Sequence, residues 1–329
     1  MHEPRRCSLA GGTAGMSISK IDPAGLDIGQ IGGRRNWLIN SDFQVSQRGD
    51  YTSATTIPTS STYYLDRFKF RRNGVTGTFT HKLSQTLDNN DVVNTVRLDV
   101  TSTATGRVEI LQLIEEVNWF KNKTITFSAQ VKSNSTDARL VLNVDGVGGG
   151  TTASTAHTGG DGWELLTGTA TLPSGVTRVS IYAGIQGTGT GDVSGVTSGD
   201  YVEISEIQVE EGSVATPFEH RSYGEELALC QRYYCKSYDQ GSAPGTSTEI
   251  GACYTRYSSA VSNRPSYTPF PVTMRGAPTI TLYSLNGDSG AVSDCQNTYS
   301  HNSSVDASIV GTAGNSGFSK INLNSGSTI

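Results

Sequence analysis

Charge is scarce in this chain. Asp, Glu, Lys and Arg make up 17% of its 329 residues, and the formal net charge is -5. A nucleic-acid binder needs a basic face to neutralise phosphates, so that class is excluded. The pairs Arg34-Arg35 and Arg71-Arg72 read as solvated surface. Long apolar runs are missing too. None approaches the roughly 18–20 residues of a membrane-spanning helix, and there is no secretory apolar region. The five cysteines, Cys7, Cys230, Cys235, Cys253 and Cys295, form no CxxC pair. Zinc spacing is therefore absent, and reduced thiols are expected. The five histidines, His2, His81, His157, His220 and His301, stand isolated. No G-x-S-x-G, H-E-x-x-H or P-loop is present. Of the paired carboxylates, Glu115-Glu116 reads as a solvated turn. Glu210-Glu211 lies on a strand, where neighbours face opposite sides, so the two cannot flank one glycosidic bond. Catalysis is not expected.

Glycine is abundant, at 38 residues, and hydrophobic residues reach only 35%. That balance favours many short strands and polar turns, as in sandwiches and jelly rolls. The fold class expected is all-β: a jelly-roll β-sandwich, a short helix, then a second, smaller β domain. Residues 36–220 read as the sandwich. Trp37-Leu38-Ile39 opens its first strand, and Phe68 and Phe70 alternate with charged neighbours and should point inward. Residues 124–132 and 138–144 read as an adjacent pair of strands, and the glycine-rich stretch 148–162 as a loop. Residues 201–209 close the sheet, with a slip between Ile204 and Ile207 that suits a bulge. Residues 221–234 read as a helical joint. Ser222 and Glu225 have capping-box spacing, and Leu227, Cys230 and Tyr234 share a face. Residues 235–329 read as the smaller β domain, with strands at 250–257 and 279–283. Residues 1–35 read as an extension and arm whose Ile18, Ile21, Leu26, Ile28 and Ile31 cannot build a core alone.

The joint, running from Glu206 through Pro217-Phe218-Glu219-His220-Arg221 to Tyr233-Tyr234, resembles the module joint of tail-fibre and related virion proteins of tailed bacteriophages. Residues 35–49 (R-N-W-L-I-N-S-D-F-Q-V-S-Q-R-G), Tyr64-Leu65-Asp66-Arg67-Phe68 and residues 270–280 (F-P-V-T-M-R-G-A-P-T-I) carry the same likeness in the same order. The resemblance implies a non-enzymatic structural fibre or appendage, trimeric and facing a receptor, assembled in the bacterial host cytoplasm into a virion. It implies attachment of residues 1–35 to a phage tail, baseplate or head protein, and contact with host cell-surface polysaccharide. Leu227, Cys230 and Tyr234 would then face a threefold axis or the base of the first domain. A capsid- or neck-attached decoration fibre and a polysaccharide depolymerase are the alternatives; no long β-helix repeat favours the latter.

The strand order also resembles the jelly-roll carbohydrate-binding modules of glycoside hydrolases. In several of these a corner holds a structural calcium, for which Asp42, Asp66 and Glu203 are the oxygen donors expected here. Sugars stack on exposed rings and offer hydroxyls to amides and carboxylates. The carbohydrate candidates are Trp163, Tyr182 and Trp119 in the first domain and Tyr254, Tyr257 and Tyr267 in the second. Against each tryptophan stands the ordinary role of an aromatic in a sandwich core.

Overall fold

The computed structural model describes residues 34–84, 93–102, 104–186, 194–252, 263–293, 304–309 and 313–323. The arm residues Ile18, Ile21, Leu26, Ile28 and Ile31, and Tyr254 and Tyr257, lie outside them. From Arg34 onward the chain forms one compact unit. Its elements in order are β1 (Thr55–Thr56), β2 (Thr62–Tyr63), β3 (Lys69–Asn73), β4 (Gly77–Ser84), β5 (Val93–Val100) and β6 (Ala104–Ile114). A 3-10 turn (Val117–Phe120) leads to β7 (Thr124–Ser133), β8 (Ala138–Val147), β9 (Gly150–Ala153), β10 (Trp163–Thr171), β11 (Gly175–Ile185), β12 (Ser194–Val196) and β13 (Tyr201–Glu211). The helix α1 (Tyr223–Gln231) and the strands β14 (Asn263–Pro269), β15 (Ala291–Ser293), β16 (Ser304–Ile309) and β17 (Gly317–Leu323) follow.

Two antiparallel sheets make the sandwich. The first runs β1-β4-β5-β13-β7-β10 and the second β2-β3-β6-β11-β8-β9, with β12 beside β6. Period-2 alternation sends Phe70, Ile110, Leu140 and Ile181 inward from the second sheet. They meet Phe79, Leu98, Phe127 and Ile204 from the first in one apolar core. The slip on β13 is a bulge between Ser205 and Gln208, with Glu206 at φ 52°. Glu210 is buried and Glu211 exposed. The helix begins at Ser222, whose hydroxyl accepts from the Glu225 N–H at 3.4 Å.

Four expectations need correction. Residues 37–39 form no strand. Asn40 turns left-handed at φ 59°, and side-chain amides replace the ladder there. The Gln112 amide both accepts from Ile39 N–H and donates to Ile39 C=O, at 2.9 and 2.8 Å. The Asn36 amide donates to the Ile207 carbonyl at 2.9 Å. Strands β7 and β8 are consecutive but belong to opposite sheets, because the polar arch 133–137 carries the chain across the core. The stretch 148–162 contains β9, paired with β8. Residues 279–282 are not a strand. Four prolines between 265 and 278 remove ladder donors before it, and Tyr283 makes a single bridge, to Ser289. Beyond the helix, β14-β17-β16-β15 form a small separate sheet.

Candidate functional site

The outer face of the second sheet carries the densest polar cluster. On β6, Val108 and Ile110 point into the core, so Arg107, Glu109 and Leu111 point out. On β11, Ile181 and Ala183 are core residues, which leaves Tyr182 outward. Register then places Tyr182 between Leu111 and Val141, and Glu109 between Arg71 of β3 and Gly184 of β11. Only glycine fits beside Glu109 at that point: a Cβ on Gly184 would stand 2.2 Å from the Val108 carbonyl oxygen.

Glu109 is fully buried and ion-paired to Arg71 and Arg107, the latter at 3.3 Å. Burial pushes its pKa up, and the two guanidiniums oppose that push. Arg107 Nε and Nη1 make no aligned hydrogen bond within the chain. Arg71 also lies over the Tyr182 ring, 4.8 Å from its centroid. A half-buried ring thus borders two forked cations held by one buried carboxylate. Hydroxyls placed over the ring would meet the partly exposed Arg71 guanidinium.

The other aromatic candidates do not join Tyr182. Trp163 of β10 pairs with Lys132 on the outer face of the first sheet, and its indole N–H is buried without a partner. Trp119 projects from the 3-10 turn and is 69% exposed, so it is no core residue. Tyr267 is exposed on β14 and donates to the Ser316 carbonyl at 3.0 Å. The sequence singled out Tyr182 but read Arg71 as solvated and passed over Arg107 and Glu109. A signal was available: the outward positions of β6 mix Arg107 and Glu109 with Leu111 and Leu113, an unusual pattern for a face left in water.

Each corner residue expected to hold calcium is engaged by other side chains or backbone of the chain. Asp66 accepts from the backbone and side-chain N–H groups of Gln47 at 2.7 and 2.8 Å. Asp42 accepts from the Gln44 amide, and Glu203 accepts from Thr95 at 2.8 Å beside Lys82 and Arg97. Among the described residues no group of three or more His, Cys, Asp or Glu side chains could hold a metal.

The helix face is placed at the base of the sandwich. Cys230 is buried against Ile39 and Val45, with Leu227, Leu229 and Tyr233 packed around it. Burial raises the Cys230 thiol pKa. Cys230 is therefore packed within the chain, on the base of the first domain, the second of the two placements expected for this helix face. Tyr234 is half-buried under Arg48, 3.9 Å from ring centroid to guanidinium. At the joint, Arg221 pairs with Glu219 and Glu226, each at 3.2 Å, with all three side chains nearly inaccessible. Glu219 and Glu226 also accept from the N–H groups of Asn36 and Asn40.

No family model matches the sequence, and no curated protein matches it. Structural neighbours are carbohydrate-binding modules and a phage tailspike domain. The enzymatically active domain of bacteriophage CBA120 tailspike protein 4 is 14% identical at a TM-score of 0.34, over 54% of this chain and 21% of that one. The chain thus spans about a fifth of that tailspike domain's length. A putative sugar-binding protein from Bacteroides thetaiotaomicron is 13% identical at a TM-score of 0.32, over 54% of this chain and 100% of that one. The module TmCBM61, solved with β-1,4-galactotriose, is 12% identical at a TM-score of 0.30, over 54% of this chain and 100% of that one.

Proposed function

We propose that this chain is a non-enzymatic, homotrimeric subunit of a bacteriophage tail fibre or appendage, carried on the virion, that holds host surface polysaccharide on the outer face of its second sheet. The observation that supports glycan contact is the half-buried Tyr182 ring with the partly exposed Arg71 guanidinium over it, held there by buried Glu109. The appendage reading rests on the joint sequence, which the structure builds as a strand, a fixed corner and a helix. Trimerisation would link three weak sites and raise their effective concentration. Residues 1–35 would seat the subunit on a tail, baseplate or head protein.

The test is affinity electrophoresis of the full chain through gels cast with host surface polysaccharides. At least one polysaccharide should retard the chain, and Tyr182→Ala should greatly weaken the retardation. No retardation in any gel, or retardation unchanged in Tyr182→Ala, overturns the glycan reading. Sedimentation should give three times the monomer mass, and incubation with the retarding polysaccharide should release no new reducing ends.

A further inference from the structure

A groove of about 270 Å³ lies on the opposite side of the sandwich, on the outer face of the first sheet. Ser128 and Gln130 of β7 form its floor, Leu165 of β10 one wall, and Pro217 and Phe218 the other, with Glu206 at the rim. The β13 bulge creates it. By adding a residue to the strand, the bulge breaks the ladder and puts Glu206 out of register with its neighbours. Glu206 adopts a left-handed φ of 52°, a conformation an L-residue takes only when its surroundings enforce it.

The far wall is braced. Thr216 donates to both oxygens of buried Glu210, at 2.8 and 2.6 Å from N–H and O–H. Arg35 bonds Thr216 Oγ1 at 2.9 Å and the Pro217 carbonyl at 3.1 Å. The Phe218 ring is set edge-on against His220, centroids 5.0 Å apart. The floor is not braced in this way: among the described residues, the side chains of Ser128 and Gln130 make no hydrogen bond. A fixed apolar wall thus stands over uncommitted hydroxyl and amide groups.

We propose that this groove is a second carbohydrate subsite, one that takes a single neutral hexose unit. Phe218, Leu165 and Pro217 offer the surface that the C–H face of a pyranose needs. Gln130 and Ser128 can each donate to and accept from its hydroxyls, beside the Glu206 carboxylate, which His220 Nε2 approaches at 4.0 Å. The lining holds no Lys or Arg, and Glu206 would repel an acidic sugar. The volume falls just short of the roughly 300–1,000 Å³ of drug-sized ligand sites, which suits one ring and not a chain. This site shares no residue with the face carrying Tyr182, so the two stand or fall separately.

The experiment uses the full chain carrying Tyr182→Ala, which silences the second sheet's face. It is titrated with the methyl glycosides of glucose, galactose, mannose and N-acetylglucosamine and read by saturation-transfer NMR. At least one glycoside should bind, in the millimolar range. Adding Gln130→Ala, a surface change that spares the core, should weaken that binding at least tenfold, and Phe218→Ala should do the same. The proposal is overturned if no glycoside binds, or if both added substitutions leave binding unchanged. It is also overturned if tetramethylammonium binds and Phe218→Ala abolishes that binding while every glycoside fails, since the groove would then select a cation.

Discussion

The sandwich and the segment beyond the helix are built on different terms. In the sandwich, both sheets feed one continuous core of fully buried phenylalanine, leucine, isoleucine and valine. Beyond residue 234, Met274 and Ala291 are the buried apolar side chains among the described residues. That segment is tied to the sandwich mostly by polar and ring contacts. Arg275 pairs with Glu115 at 3.1 Å and lies 5.9 Å from the Tyr233 ring centroid. The Arg275 N–H also donates to the Arg232 carbonyl at 2.9 Å. Exposed contacts of this kind contribute about 0.5–1 kcal/mol each, far less than a buried aromatic. Among the described side chains, the first region has the core to hold its shape unaided, while the second leans on what it touches.

The largest effect that tests this contrast is Phe127→Ala. Phe127 is fully buried in the core, so the change should cost about 3–5 kcal/mol in urea denaturation. Phe270→Ala, at a half-buried ring 6.1 Å from Phe318, should cost less than about 1 kcal/mol. Equal losses would break the contrast.

Next comes Arg221→Ala, which strikes the joint between the regions. It leaves Glu219 and Glu226 buried without their cation, at a cost of about 3 kcal/mol. The same site has a pH signature. Burial raises the Glu226 pKa, with the Asn40 N–H and Arg221 working against it. A raised acid contributes stability below the ordinary glutamate value of about 4.3 and loses it as pH rises through its own higher value. Relative to Glu226→Gln, the wild-type chain should therefore lose melting temperature as pH goes from acidic to neutral. A parallel pair of melting curves would refute this.

How far the sequence disclosed these regions follows the same divide. The strands of the sandwich were legible because period-2 alternation survives wherever one face meets a core; Phe68, Phe70 and the β13 slip were all readable. Residues 37–39 were not, because Asn36, Asn40 and Gln112 satisfy the backbone there through side chains, and periodicity does not record such bonds. Pairing was also hidden: β7 and β8 are neighbours in sequence, and nothing local says that the arch between them crosses the core. At the site, Tyr182 was visible as an aromatic. Glu109 was not, since an acid alternating with valine and isoleucine reads as solvent-facing until Arg71 and Arg107 are seen beside it. Beyond the helix, few apolar positions are buried among the described residues, so alternation had little to report there.

The smallest effect sharpens where the boundary lies. Ser222 holds an extended conformation at φ −65°, ψ 147° and accepts from the Glu225 N–H, so Ser222→Ala should cost the helix about 1 kcal/mol. The helix is otherwise pinned through Cys230 to Ile39 and Val45, at the edge of the sandwich and outside its main core. Losing the cap should therefore speed amide hydrogen exchange in the first turn, residues 223–226, and leave the amides of β7 and β13 unchanged. If those strand amides speed up equally, the helix and the sandwich open as one cooperative unit, and the boundary between self-sufficient and dependent structure must be moved beyond residue 234.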